Sequence, residues 1–231
     1  MKNTQIRKYL ENQEIKEHEK EMIEFVKSDF RNDEEFSVLD IGCATGKLIS
    51  LIKENFPKAK GHGFDISKEL ILLAQNRKLN ECDFVTADML TYAPSQNFDL
   101  IIASGVLSIF DDFREPLLKW LDWMKQDGSF YMFGNFNSRN IDTIISFRNN
   151  QIGNSNWEGG LTSYSVETVN NFLTEEGYTA VFKRFNLKID ISEHEDPIRT
   201  FTKITQDGER IVMTGANIIT ELYFLKIKRS T

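Results

Sequence analysis

Apolar and polar residues change period several times along the chain. Between residues 4 and 30, Met22, Ile23, Val26 and Phe30 fall at helical spacing among Glu and Lys, which predicts an amphipathic leading helix. Residues 31–35 break that pattern, and 36–41 form a short apolar run rich in strand formers, the first predicted strand. A glycine-bounded loop, 42–46, precedes Leu48, Ile49, Ile52 and Phe56 at helical spacing, until Pro57 stops the segment. A second strand ends at Asp65, and Ser67 is placed to cap a helix through Leu70, Leu73, Ala74 and Arg77 by accepting an orphan backbone N–H. Residues 83–87 read as a third strand. Residues 98–103 are almost continuously apolar, as a central strand covered on both faces requires. A helix over about 114–124 with Pro116 in its first turn, a turn at Asp127-Gly128 and a fifth strand over 129–136 continue the series. Strands separated by helices predict a parallel sheet with right-handed crossovers.

The pattern changes after Phe136. Ile141, Ile144 and Ile145 suggest a short helix with Ser138 as its cap, followed by a polar stretch over 149–156. Ser165 caps a further predicted helix ending near Gly177, residues 178–191 read as a strand, and 198–205 and 209–214 flank Asp207-Gly208 as a hairpin. Residues 218–228 close the sheet. The 231 residues fit one domain, 1–231, without internal repeats.

Charge and composition narrow the chemistry. With 28 Lys+Arg against 35 Asp+Glu, the net charge of −7 lacks the basic field of a duplex-binding protein, so no nucleic-acid partner is expected. No apolar run approaches the length of a membrane span, and the first residues lack a signal-peptide core, so a cytoplasmic protein without a membrane partner is expected. Cys43 and Cys82, with three scattered histidines, suggest neither a disulfide frame nor a metal site.

The informative stretch is Val38-Leu39-Asp40-Ile41-Gly42-Cys43-Ala44-Thr45-Gly46-Lys47-Leu48. Glycines here permit a tight turn and let a ligand approach backbone without meeting a Cβ. In open α/β sheets ligands bind beyond the carboxyl ends of the strands, where strand order reverses. A phosphate-binding P-loop needs GxxxxGK followed by Ser or Thr, whereas Gly42 and Gly46 enclose three residues and Leu48 follows Lys47. A dinucleotide fingerprint fits poorly as well: Ala44 can stand for its second glycine, but Lys47 occupies the third position.

An acid two residues before the first glycine, then GxxxG, resembles the opening motif of the class I S-adenosylmethionine-dependent methyltransferases. Asp40 suits the ammonium of the cofactor's amino acid end, while backbone of the loop meets its carboxylate. The resemblance covers about 36–136 in detail. It implies a doubly wound, Rossmann-like α/β sheet of seven strands in the order 3-2-1-4-5-7-6, with the last strand antiparallel. It also implies cofactor contacts from Asp40, Gly42, Cys43, Ala44 and Gly46 on the loop. Asp65 would meet the ribose hydroxyls, Ile66 the adenine face, Asp88 and the Met89 amide the adenine edge, and Ser104 the methionine portion. Ala44 replaces the middle glycine of the commonest motif and is tolerated if its φ is negative. Ser108-Ile109 stand where many small-molecule members carry a base.

The remaining expectations concern the acceptor. The leading helix, 1–30, is expected to act as a lid, with Tyr9 facing the methyl group, and segments 137–164 and 190–215 to cover the acceptor. Arg139, Trp157, Tyr164 and Arg199 are candidate pocket residues, and His194 and Tyr164 are the candidates for catalysis. His62 reads as structural, whereas His18 and Lys47 are expected in solvent. Cys43 reads also as a small loop filler. The expected reaction is methyl transfer from S-adenosylmethionine to the oxygen or nitrogen of a small molecule, including a sugar or phosphorylated metabolite, leaving S-adenosylhomocysteine. A non-catalytic S-adenosylmethionine-binding module and a nicotinamide oxidoreductase are the alternatives, and oligomeric state stays open.

Overall fold

The computed structural model describes residues 14–148, 156–159, 162–194 and 199–230. Its main sheet begins with a parallel set in which the first two strands each feed a helix: β1 (Ser37–Ile41), α2 (Lys47–Asn55), β2 (Lys60–Asp65), α3 (Lys68–Asn76) and β3 (Cys82–Thr86). β4 (Phe98–Ser104), α4 (Arg114–Asp122) and β5 (Met124–Asn137) follow, and helix α1 (Glu17–Val26) precedes them all. A two-residue strand β6 (Tyr164–Ser165) leads into α5 (Val166–Glu175) and β7 (Tyr178–Phe185). The long main-sheet path runs β3-β2-β1-β4-β5-β11-β7, where β11 (Leu222–Arg229) lies antiparallel between β5 and β7. This is the seven-strand order expected from the sequence, with β6 pairing β5 off the path.

Two apolar layers hold the sheet. Leu39, Ile41, Ile101 and Phe130 face Leu117, Trp120 and Leu173 on one side. Val38, Leu100, Ile102 and Tyr131 face Met22, Val26, Leu48 and Ile52 on the other. Ser67 caps α3 by accepting from the Leu70 N–H, and Ser165 caps α5 by accepting from the Glu167 and Thr168 N–H groups, as the sequence predicted. The segment after α1 is tied down by Asp29, whose carboxylate accepts from the Ser129 hydroxyl at 2.7 Å and the Tyr131 hydroxyl at 2.8 Å and pairs with Lys226 and Lys228. Burial alone would raise this carboxyl, but those donors, Lys226 foremost, hold it down at about 2.

Several expectations need correction. Residues 141–145 form no helix. Ile141 and Ile144 are exposed, so no apolar face supports one, and the segment instead makes bridges at Thr143↔Ser163 and Phe147↔Glu158. Ser138 caps nothing there, and its N–H and hydroxyl donate to Glu221. The Asp127-Gly128 turn lies inside β5, whose register against β4 shifts between Phe98 and Leu100. β7 stops at Phe185 rather than reaching residue 191. The predicted hairpin exists as β8 (Thr200–Ile204) and β9 (Arg210–Thr214), and it joins β10 (Ile219–Thr220) in a separate antiparallel sheet. Tyr9, the start of the predicted leading helix and the polar stretch over 149–155 lie outside the described residues.

Candidate active site

The loop after β1 owes its shape to two residues without a Cβ. Gly42 has φ +71°, and a Cβ there would stand 2.7 Å from Val106 Cγ1; Gly46 has φ +69° and would meet the Phe84 ring at 2.8 Å. The Cys43 N–H donates to the Phe64 carbonyl at 2.9 Å, the Gly46 N–H donates to the Cys43 carbonyl at 2.8 Å, and the loop is thereby fastened to β2. Cys43 is buried, and burial pushes its thiol up, so it fills space in the loop as an inert group.

Ala44 departs from the expectation of a negative φ: its φ is +47°, in the left-handed region that costs a residue with a Cβ roughly 1–2 kcal/mol. The compensation is local, since the Ala44 N–H donates to Asp65 Oδ2 at 3.1 Å. Replacement by glycine relieves the strain while loosening the unfolded chain. Ala44→Gly should therefore stabilise the protein by about 1 kcal/mol, read as a higher midpoint in urea with an unchanged slope.

Two buried acids stand over this loop. Asp65, at the end of β2, accepts from the Ser67 N–H at 2.9 Å through Oδ1 and from Ala44 through Oδ2, leaving a lone pair on each oxygen for a pair of hydroxyls. Burial raises this carboxyl despite those N–H donors. Asp40 is only 3% exposed, and its carboxyl takes no hydrogen bond among the described residues. Burial first, then the charges of Asp65 and Glu19, raise it well above the ordinary carboxylate range. A buried acid with acidic neighbours and no donor is stabilised by a ligand cation.

The other predicted cofactor residues ring the same end of the sheet. Ile66, beside Asp65, is 55% exposed. Asp88 accepts from the Leu90 N–H at 2.8 Å, and Met89 packs toward Gly42, where its Cε would lie 4.0 Å from an added Cβ. Ser104 is half-buried, and at the next residue, Gly105, an added Cβ would meet nothing within 4 Å. The structure thus brings Asp40, Gly42, Asp65, Ile66, Asp88, Met89 and Ser104 to the carboxyl ends of β1 to β4. The loop turns tightly on two glycines, the buried acid takes no donor among the described residues, and exposed Ile66 lies beside an acid with spare lone pairs. These features fit an adenosyl amino acid.

The acceptor candidates are more scattered. Tyr164 is buried in the core, edge-on to Phe113, and its hydroxyl donates to the Phe110 carbonyl at 2.5 Å. Burial raises that phenol further. Trp157 is 67% exposed, with the Arg148 guanidinium 5.4 Å from its ring centroid. It is carried by the bridged segment whose Thr162 N–H donates to the Ser108 carbonyl, beside the turn after β4. Arg139 and His194 are exposed, and Arg199 is half-buried at the start of β8. His62 is held between Asp83 and the Tyr92 hydroxyl, a structural histidine as read from the sequence.

Two residues expected in solvent are partly buried instead. Lys47, the first residue of α2, pairs with Glu19 at 2.9 Å, with side-chain exposures of 15% and 13%, and donates to the Glu14 carbonyl at 2.7 Å. His18 stacks on Phe133 with centroids 4.3 Å apart and ring planes 2° from parallel. Burial, with the charges of Lys16 and Lys47, lowers His18 to about 3, so its imidazole is neutral at pH 7. The helical period carried the signal: His18 lies four residues before Met22 and eight before Val26, on the buried stripe of α1.

A family model described as a methyltransferase domain matches residues 32–181. The chain is 28% identical over 151 residues to a malonyl-[acyl-carrier protein] O-methyltransferase of Priestia megaterium, an alignment covering 64% of this chain and 55% of that one. It is 32% identical over 108 residues to a trans-aconitate 2-methyltransferase of Streptomyces avermitilis, covering 44% and 40% respectively. The chain thus spans about half the length of these relatives. Its fold is similar to that of the YcgJ protein of Bacillus subtilis, with a TM-score of 0.62 and 16% identity over 94% of this chain and all of that one.

Proposed function

Because the chain belongs to the methyltransferase-domain family of class I, S-adenosylmethionine-dependent proteins, we propose that it transfers a methyl group to a small-molecule acceptor and that this acceptor carries a carboxylate. The observation that carries the cofactor half is Asp40, a buried carboxyl near the end of β1 with no donor among the described residues, beside a loop that turns on two glycines. When bound, S-adenosylmethionine supplies an electrophilic methyl group on a sulfonium. The chain's own work is to bind and orient. Asp40 balances the ammonium, Asp65 takes the ribose hydroxyls, and Ile66 lies against the adenine. Alignment of donor and nucleophile removes an entropic barrier worth about 7–11 kcal/mol in favourable cases.

Two observations support the acceptor class. The relatives are named for a malonyl thioester and for aconitate, both carboxylic acids. Beyond β4, where a base would stand, the chain carries Ser108-Ile109, and the Tyr164 phenol is committed to the Phe110 carbonyl. A carboxylate oxygen is already ionised at neutral pH and needs no base.

Titration calorimetry with S-adenosylmethionine and S-adenosylhomocysteine, followed by turnover assays with carboxylic acids, hydroxy compounds and amines, tests this reading. Binding and methyl ester formation are the expected result. Binding with no turnover of any acceptor would make the chain a cofactor-binding module instead. Trp157→Ala should change acceptor KM several-fold and leave the cofactor dissociation constant as it is, since the indole is exposed and paired with the Arg148 guanidinium. A collapse of cofactor affinity would make Trp157 part of the cofactor site.

A further inference from the structure

His18 is the one imidazole that the site's own geometry brings toward the reacting end of the crevice. Strand alternation puts Asp40 on the same face as Val38, and Ser104 on the same face as Leu100 and Ile102. Phe133 pairs with Ser104 across the β4–β5 ladder, and its carbonyl accepts from the Gly105 N–H at 2.7 Å. Asp40 is level with Ile102 and Tyr131, so Ser104 and Phe133 stand on its face one step further toward the carboxyl end of the sheet, on the side covered by α1. The His18 ring lies flat on Phe133 and edge-on to Phe185, with centroids 6.3 Å apart in the second contact, so its plane is fixed from two sides.

The helix that carries it is fixed as well. Glu19 pairs with Lys47, Glu21 pairs with Lys183, and the Lys188 N–H donates to Glu17 at 3.0 Å. Packing accounts for the ring but not for its nitrogens, which take no hydrogen bond among the described residues. The charges bearing on the ring are those of Lys16 at the start of α1 and Lys47 on α2, and Arg199 in turn bears on Lys16. Glu19 partly balances both cations, and the imidazole is neutral, with one N–H to give.

Resting on the methyl-transfer reading above, we propose that His18 is the specificity-determining contact for the acceptor: its ring N–H donates to a carboxylate oxygen of the bound acid, with Lys16 supplying the neighbouring positive charge. The nucleophilic oxygen keeps its own lone pair for the methyl group. No proton leaves the acceptor, so His18 orients the acid without acting as a base.

The test uses the full chain saturated with S-adenosylhomocysteine at neutral pH, observed by NMR of the histidine rings. Added trans-aconitate should move the His18 ring N–H downfield and slow its exchange with water, while His62, held by Asp83 and Tyr92, stays unchanged. A His18 signal that does not move, or that moves only together with His62, would overturn the proposal. His18→Phe keeps the stack on Phe133 and removes the donor. In an acid that the wild type methylates, it should raise acceptor KM about tenfold, as expected for a lost hydrogen bond to a charged group, with cofactor affinity unchanged. An unchanged KM, or a parallel loss of cofactor affinity, would make His18 a packing residue. If the wild type methylates no acid yet His18 responds to trans-aconitate, the methyl-transfer reading fails while the carboxylate contact stands. Methylation of an acid without any His18 response gives the reverse.

Discussion

Asp65→Ala should weaken S-adenosylhomocysteine binding by roughly 1–3 kcal/mol, a loss of about 5- to 150-fold in affinity by titration calorimetry. The carboxylate has two tasks that the variant removes together. It offers a lone pair on each oxygen to a ribose, and it holds the Ala44 N–H, which keeps the left-handed turn of the loop in place. Asp65→Asn separates these tasks. An amide oxygen can still accept from one backbone N–H, so the loop keeps part of its support while the second acceptor becomes a donor. Asn should therefore preserve the melting temperature better than Ala yet still lose cofactor affinity. Unchanged affinity in both variants would place the cofactor elsewhere.

Asp40→Asn should do two opposite things: stabilise the ligand-free chain and weaken its hold on the cofactor. The sign follows from burial first, then from Asp65 and Glu19, all of which raise this carboxyl in the folded state. A group raised on folding binds its proton more tightly in the native chain than in the unfolded one. Its contribution is intact below the unfolded value near 4 and is lost as pH rises through the folded value. Above the unfolded value the ligand-free chain therefore loses stability, either by holding a proton that the unfolded chain has released or by bearing a buried charge, and asparagine removes that loss. Even 1 kcal/mol of relief would raise the melting temperature by about 2–4 °C in a chain of this size. The cofactor ammonium favours the ionised acid, so binding expels the proton, and wild-type affinity should climb with pH from the ordinary carboxylate range upward. In Asp40→Asn that slope should vanish and affinity fall by roughly 1–3 kcal/mol. A variant that binds as tightly as the wild type, with the same pH dependence, would remove Asp40 from the site.

The strand order and the cofactor loop were readable because each rests on local signals. Apolar runs bounded by turn residues marked β1 to β5, and Asp40, Gly42 and Gly46 have a spacing that only a few ligands suit. The misread residues owe their environments to distant parts of the chain. Lys47 looks solvated until Glu14 and Glu19 are known to lie on it, and His18 until Phe133 and Phe185 are found beneath it. Both follow from α1 docking against α2 and β5, a tertiary event with only a faint trace in the helical period. The size of Ala44 was legible, but its dihedral was not, because the turn imposes the angle whatever residue occupies it. At 141–145 three isoleucines mimicked a helical face, whereas the bridge from Thr143 to Ser163 holds the segment extended.

The antiparallel insertion of β11 also sets an order of assembly. Among the described strands of the main sheet, β7 touches only β11, and the far edge of β5 pairs with β11 from Phe130 to Asn135. A chain growing from the ribosome can pair β1 to β5 as each appears. It must then carry two unsatisfied edges until Leu222–Arg229 emerge to fill the slot. Messages cut short before codon 222 should accordingly yield products that capture one another edge to edge, although they contain every residue of the crevice around Asp40 and Asp65.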